Sequence, residues 1–573
     1  MKLHIIFILF FVGIVFSMFG FVESLDTYYE EKALARPTET SIKGKGTLER
    51  KWVVKEEKMS HEKNEVRVIE DINIKVRDGI ILKGRLLLPK GVKEPLPTIV
   101  QLNGYGHESD RGKSETKLMD LAERGYAVVH VSLRGTGTSE GKAGLYNFYS
   151  SDGYDVIEWA AEQGWSNGKV GTIGLSLLGI SQWLAAKELP PSLKAISPAA
   201  ACADCYEMLW HPGGMEAGPG RIARSVEYKA AKEHRNFDGW WQERVVSTED
   251  LNRIAKHGVA AFITGGWNDY ISPDNIEAFE QYSKTSIHSK LIVSSDAHTY
   301  LSGVMPYGFE DYQAQWFDHY LKDKNNGVNQ HDPVLIYVQG ANQWRYEKKW
   351  PLIGTNYIDF YLTNKKSDSI NSINDGLLIE EKTTDKEATA MYEYSPETGP
   401  FLPTLLSATG RLTINQQPYE KQTLTWTTGA LAEPTEITGN LSMTFWAAVN
   451  AEDADFVVQI TDAAPNGTSR QVTAGYLNAA RANSLAEPIM VEPGKIKKYT
   501  IKIYPTSYVF KKGHRIRLSL AGGTKAFPKQ KSPQGPGINP IGSTVIVYQG
   551  SKYPSSLRLP VIGQETLELD RRN

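Results

Sequence analysis

The stretch Lys169-Val-Gly-Thr-Ile-Gly-Leu-Ser-Leu-Leu-Gly-Ile-Ser-Gln-Trp constrains this chain more than any other. Lys169 to Gly174 reads as a short buried strand, and the residues from Ile180 onward read as the opening turns of a helix. Only Gly174-Leu175-Ser176-Leu177-Leu178-Gly179 lies between them. The chain must therefore turn from strand to helix across a serine set among small residues. So tight a turn forces strained dihedrals on Ser176, and bulky side chains on its inner side would collide. A serine held this way presents its hydroxyl as an exposed nucleophile. The spacing departs from Gly-x-Ser-x-Gly, because Leu178 stands at the second glycine position and Gly179 follows one residue later.

The flanking sequence supplies the setting that such a turn needs. Apolar alternation over residues 66–76 and 80–88, joined by Arg77-Asp78-Gly79, predicts an antiparallel hairpin. Apolar runs then begin at Thr98, Ala127, Val170, Leu193, Ala260 and Leu291, separated by amphipathic stretches such as 117–124 and 152–163. Continuous apolar strands alternating with helices predict a parallel sheet covered on both faces. With a leading hairpin, that is the α/β-hydrolase pattern. Residues 210–257 break the rhythm with Gly213, Gly214, Pro219 and the aromatic segment His234–Arg244, and predict a helical cap roofing the site. Beyond Trp344-Arg345 the pattern is all-β, with alternation at 499–504, 515–520, 544–548 and 556–559 and turn signals at Pro465-Asn-Gly and Lys512-Gly. The expected organisation is a catalytic domain over 63–345 and a β-sandwich over 346–573.

The 573 residues suffice for two or three cores. The N-terminus reads differently: Lys2 precedes an apolar run from Ile5 to Val22, then polar sequence. This predicts a signal peptide or membrane anchor over 1–24, placing the catalytic part outside the cytoplasm, with a charged arm over 25–62. Lys and Arg number 64 against 66 Asp and Glu, with no basic stripe, which argues against nucleic acid as a partner. Contact with a membrane would come only through the anchor, and a homo-oligomer is compatible with the sequence. The two cysteines, Cys202 and Cys205, lack a second Cys/His pair at ligand spacing. They are read as two small packed residues, able to oxidise to each other after export. No metal and no cofactor is expected.

A serine hydroxyl needs a base, and the base an orienting carboxylate. In α/β-hydrolases they follow the serine in the order acid, then histidine, each on a loop after a strand. Asp269 follows the strand 260–264 in Gly265-Gly-Trp-Asn-Asp269, and His298 follows the strand 291–294 in Ser295-Asp-Ala-His298. Asp274, after Ser272-Pro273, is read instead as a helix cap. His288 precedes its strand and His319 lies in a helical pattern. The oxyanion donors are expected to be the Leu177 backbone N–H at the start of the helix and the loop Asn103-Gly-Tyr105-Gly-His107, through the Tyr105 phenol or through backbone.

These motifs resemble the family of cocaine-esterase-like hydrolases and S15-type X-Pro dipeptidyl-peptidases, with relatives among glutaryl-cephalosporin acylases and α-amino-acid ester hydrolases. The resemblance runs from about residue 65 to the C-terminus. It covers the elbow with its glycine at Gly179, Asp152-Gly-Tyr-Asp, Gly164-Trp-Ser-Asn-Gly-Lys-Val, Gly266-Trp-Asn-Asp269, His298 and Trp316-Phe-Asp-His-Tyr-Leu-Lys. Downstream it covers Ala341-Asn-Gln-Trp-Arg, Thr506 to Arg517 and Pro554-Ser-Ser-Leu. It implies a jelly-roll C-terminal domain, and Tyr105 as the oxyanion tyrosine. Leu177 departs from the usual tyrosine after the nucleophile, Ser132 replaces an aspartate before the Arg134–Ser139 segment, and the cap is shorter.

Three functions follow. The first is an exported serine hydrolase cleaving an ester or amide through an acyl-enzyme. The second is an X-Pro dipeptidyl-peptidase, in which Asp204 and Glu207 would hold a substrate ammonium group. The third, a binding or adhesion protein on an inert scaffold, sits poorly with a complete Ser, Asp and His order. Trp267, Trp210, Trp240 and Trp241 are candidates for an apolar substrate pocket, against the alternative of ordinary core packing.

Overall fold

The computed structural model describes residues 51–52, 63–93, 95–108, 113–216, 226–298, 309–384, 386–395, 398–400, 414–524, 542–567 and 569. The expected signal or anchor segment, nearly all of the charged arm and Pro219 lie outside them.

The first sheet contains β1 (Lys51–Trp52), β2 (Val66–Lys75), β3 (Ile81–Pro89), β4 (Leu96–Asn103), β5 (Ala127–Ser132) and β6 (Ser166–Leu175). It continues with β7 (Leu193–Ala199), β8 (Ala260–Gly266), β9 (Ser289–Ser294), β10 (Val334–Val338) and β11 (Gln343–Glu347). Their order is β1-β11-β10-β9-β8-β7-β6-β4-β5-β3-β2. From β5 across to β10 every pairing is parallel, while β2–β3, β3–β5, β10–β11 and β1–β11 are antiparallel. All residues of β4, β5, β8 and β9 are buried, as a sheet covered on both faces requires.

The covering helices are α1 (Lys113–Glu123), α2 (Tyr149–Ala161), α3 (Leu177–Lys187), α4 (Val226–Glu233), α5 (Gly239–Gln242), α6 (Thr248–His257), α7 (Ser272–Tyr282) and α8 (Phe309–Leu321). Val156, Trp183, Ile254 and Phe279, from α2, α3, α6 and α7, share one apolar core. Leu118, Leu121, Trp316 and Phe317, from α1 and α8, belong to another.

Three expectations change. Lys51–Trp52, inside the supposed arm, form an edge strand on β11. β11 itself carries the first sheet to Glu347, and the next strand begins at Thr355. Residues 210–257 are not one inserted cap. α6, with a capping box between Ser247 and Asp250 and left-handed Gly258 closing its end, is the crossover between β7 and β8. His234–Arg244 is not one helix either: α4 ends at Glu233, and Asp238 caps the short α5 by accepting the Trp241 N–H.

From Thr355 onward the chain is almost entirely β, around a core that includes Phe360, Trp426, Phe445, Phe456 and Tyr499. Its longest strands, Thr435–Val449 and Lys497–Phe510, pair antiparallel. This domain is joined closely to the first sheet. Arg345 on β11 is fully buried and donates through both Nη atoms to Glu436, at 2.8 and 2.7 Å. The Gln339 N–H donates to the Ser507 carbonyl at 3.1 Å, and the Val509 N–H returns to the Gln339 carbonyl at 2.8 Å.

Candidate active site

β6 delivers Ser176 directly into α3, with φ 61° and ψ −126°, a positive φ that no ordinary serine adopts. The glycines around it are required by contact. A Cβ on Gly174 would lie 2.5 Å from the Cβ of Leu178, and one on Gly179 would lie 2.7 Å from that of Ala201. The second glycine therefore serves the packing of α3 against the loop after β7, which explains its place three residues beyond the serine.

The Ser176 Oγ lies 2.8 Å from His298 Nε2, and His298 Nδ1 lies 3.0 Å from Asp269 Oδ1. The other Asp269 oxygen accepts from Ser272 Oγ at 2.5 Å, and Oδ1 also accepts the Ile271 N–H at 3.3 Å. Burial alone would raise the Asp269 carboxyl; the charge of His298 and these hydrogen bonds hold it below the ordinary aspartate value. With the carboxylate at Nδ1, the imidazole keeps its proton there and turns Nε2 as acceptor toward the serine.

The loops carrying acid and base are pinned together. Gly266 lies against the Asp296 carbonyl with no room for a Cβ. The Trp267 N–H donates to the Ser294 carbonyl at 2.9 Å, and Asn268 Nδ2 to the Ser295 carbonyl at 2.6 Å. Asn268 Nδ2 also reaches Gln339 Oε1 at 3.2 Å, and Gln339 is bonded to Ser507 of the β domain. Ser272, Asn268 and Gln339 were not singled out in the sequence; the Ser272-Pro273 helix start was the available signal for the first.

Leu177 opens α3, so its N–H is among the helix donors with no intrahelical acceptor. The loop after β4 lies beside it: a Cβ on Gly104 would sit 2.7 Å from Leu177 Cδ2 and 2.5 Å from the Tyr149 hydroxyl. Tyr105 is 38% exposed, and its N–H donates to Asn103 Oδ1 at 2.8 Å. A buried network unseen in the sequence holds this loop. Ser132 Oγ accepts the His107 N–H at 2.7 Å and lies 2.6 Å from His107 Nδ1. Asn103 Nδ2 lies 2.9 Å from His130 Nε2, and the Glu108 carboxylate accepts the Thr138 N–H at 3.0 Å. Gly106, at φ 93°, leaves no space for a Cβ against Gly137. Burial lowers both histidines, with His130 pushed to about 3 by burial and by Arg85, so both rings are neutral. The Arg134–Ser139 segment thus cradles the loop that bears Tyr105, and Ser132, noted only as a departure, is the residue that ties the two.

The remaining candidates divide. Asp204 Oδ1 accepts the N–H groups of Tyr206 and Glu207 at 3.0 and 3.3 Å, capping the π-helical turn Tyr206–Trp210. Asp274 is not a cap for its own helix. It sits in the first turn of α7 and accepts the N–H groups of Ala203 and Asp204. Burial, then the neighbouring acids, raises Asp204 to about 6 and Asp274 to about 8. Glu277, one turn along α7, pairs with Lys502 of the β domain, and its Oε1 is buried without a partner. Trp210 donates to the Tyr146 hydroxyl at 3.3 Å. Trp240 is half-buried, stacked on His234 at 4.4 Å. Trp241 is fully enclosed, with its indole N–H on the His234 carbonyl, and Trp267 spends its N–H on the Tyr337 carbonyl at 2.7 Å beside Trp350. These two are core packing rather than pocket wall. Cys202 and Cys205 are buried, as two small packed residues would be, and are joined by the disulfide that their spacing allowed. Among the described residues no cluster suits a metal ion.

Residues 78–223 match the model of the X-Pro dipeptidyl-peptidase (S15 family), and residues 326–558 that of the X-Pro dipeptidyl-peptidase C-terminal non-catalytic domain. The chain belongs to the S15 and cocaine-esterase family. Cocaine esterase from Rhodococcus sp. (strain MB1 Bresler) is 26% identical, over 86% of this chain and 98% of its own length. A putative Xaa-Pro dipeptidyl-peptidase from Bacillus cereus is 23% identical, over 69% of this chain and 71% of its own. Among solved structures, a CocE/NonD family hydrolase from Staphylococcus aureus superposes with a TM-score of 0.70 at 22% identity, covering 86% of this chain and 94% of that one. An α-amino acid ester hydrolase superposes with a TM-score of 0.68 at 20% identity, covering 92% and 100%. Both share the fold. The family member described here is a serine hydrolase of esterase or X-Pro dipeptidyl-peptidase type.

Proposed function

We propose that the protein is an exported esterase or amidase acting through an acyl-enzyme on Ser176. The observation that carries this reading is the chain of contacts from Ser176 Oγ to His298 Nε2 at 2.8 Å and from His298 Nδ1 to Asp269 Oδ1 at 3.0 Å. His298 takes the serine proton as Oγ attacks the acyl carbon, Asp269 balances the imidazolium, and the proton then passes to the leaving group. The Leu177 N–H and Tyr105 stabilise the developing oxyanion. A water activated by His298 releases the acid and restores Ser176. The test is turnover of short aryl esters: wild type hydrolyses them, Ser176→Ala does not, and equal rates in the two would reject the reading.

From the expected cap over 210–257, the described residues 210–216 and 226–242 are read as the cap, and the C-terminal domain is read as a jelly roll that braces the acid and base loops. Export is supported by the Cys202–Cys205 disulfide, a bond that persists in oxidising compartments. Sequencing the mature N-terminus from fractionated cells tests it, and retention in the cytoplasm would overturn it.

A dipeptidyl-peptidase is the second reading, supported by the unpartnered Glu277 Oε1 beside Glu207 and Asp204 as a seat for an ammonium group. Ala-Pro anilides cleaved faster than aryl esters, with the advantage lost on N-acetylation, would place this reading first.

A further inference from the structure

Arg235 and Arg481 are not used in any step above. Arg235 lies between α4 and α5, and Arg481 follows the β-domain strand Ser469–Asn478. Their segments run against each other. The Phe237 N–H donates to the Leu485 carbonyl at 3.0 Å, the Tyr206 hydroxyl to the Arg235 carbonyl at 2.9 Å, and Arg481 Nη2 to Asn236 Oδ1 at 2.6 Å. The Arg481 stem is fixed along the turn at Gly214, where a Cβ would come within 2.8 Å of it.

Among the described residues, neither guanidinium group has a carboxylate within bonding distance. Arg481 is 7% exposed, yet its Nε is buried with no acceptor, and its remaining contact is a 3.3 Å bond from Nη1 to Asn478 Oδ1. Arg235 is half-buried, with both Nε and Nη2 buried and unpartnered. Asp453 and Asp455 act on Arg481 through space without bonding it, their carboxylates accepting from Asn478 Nδ2 at 3.0 and 2.8 Å. Arg481 bonds Asn236, the residue next to Arg235, and both cations act on Tyr206 and His211, as do the acids Asp204, Glu207 and Glu216 on one ring or the other. Burial and the like charge of Arg235 lower the pKa of Arg481, outweighing Tyr206, Asp453 and Asp455, which raise it. Water would satisfy the N–H groups without neutralising the charge, whereas an oxyanion does both.

We propose that Arg235 and Arg481 form a binding site for a small oxyanion, a phosphate or a carboxylate, that links the α4–α5 segment to the β domain. The site is independent of the role assigned to Ser176. The test is calorimetric titration of the full chain with sodium phosphate, sulfate and acetate, against chloride at matched ionic strength. Saturable binding at one site per chain is expected, weakened about tenfold or more in Arg235→Gln and in Arg481→Gln, as loss of charge-assisted bonds requires. It should be unchanged in Ser176→Ala. Phosphate and sulfate exceeding acetate would identify a phosphate-type ligand, and acetate matching them a carboxylate. No saturable binding by wild type, or binding unaltered in the double variant, overturns the site. If Arg481→Gln does not fold, wild type and Arg235→Gln still decide.

Discussion

Ser176, His298 and Asp269 were legible because each follows a buried apolar strand, so chain order alone restricts where they meet. The support behind them was not. Ser132, His107, Asn103 and His130 come together only because Gly106 and Gly137 let two loops touch, and no local pattern reports that approach. Ser132 does not face the reacting atoms; it sets the loop that carries Tyr105. On the oxyanion role proposed for Tyr105, Ser132→Ala should lower kcat on aryl esters by roughly ten- to a hundredfold with little change in KM, as loss of a positioned oxyanion donor does. Ser132→Thr, which retains the hydroxyl, should recover part of it. Asp269→Asn should cost far more, about 10⁴-fold in kcat, because the wrong imidazole tautomer would face the serine. Steady-state kinetics on both variants check the two magnitudes.

The first turn of α7 illustrates what a local motif conceals. Ser272-Pro273-Asp274 reads as a capped helix start, but the structure turns Asp274 toward Ala203 and Asp204 on a neighbouring loop. Asp204 faces it from that loop and Glu277 from its own helix, while Lys502 of the β domain feels Glu277, Glu207 and Asp274 together. Burial, reinforced by Asp204 and Glu277, raises Asp274 to about 8 in the folded chain. The unfolded chain releases that proton near the ordinary aspartate value, so the folded state holds more protons in between. Stability therefore falls as pH rises from about 4 toward 8. Asp274→Asn removes this dependence: denaturation midpoints should favour the variant increasingly between about pH 5 and pH 8. A constant offset across that range would contradict it. The same kind of tertiary override explains His234–Arg244, where Asp238 begins a new short helix instead of continuing the old one.

The chain reads from its periodicity as an α/β region followed by an all-β region, and those blocks stand. Their docking does not read from sequence, because it rests on residues nearly a hundred positions apart or more. Arg345 and Glu436 are buried together between β11 and the β domain, and Gln339 relays from Asn268 beside Asp269 to Ser507. Glu436→Gln removes one of the two carboxylates on the buried Arg345 guanidinium, leaving Glu347 at 2.7 Å on Nε, and should cost about 1–3 kcal/mol in urea denaturation. Because the acid loop is braced through the same junction, kcat should fall while the protein is still folded. The account as a whole stands on Ser176 as the nucleophile, and a fluorophosphonate probe read by intact mass and peptide mapping tests that directly. The prediction is one adduct per chain, on the peptide containing Ser176, absent in Ser176→Ala and strongly slowed in His298→Ala. An adduct on another residue, or labelling that survives Ser176→Ala, would contradict it.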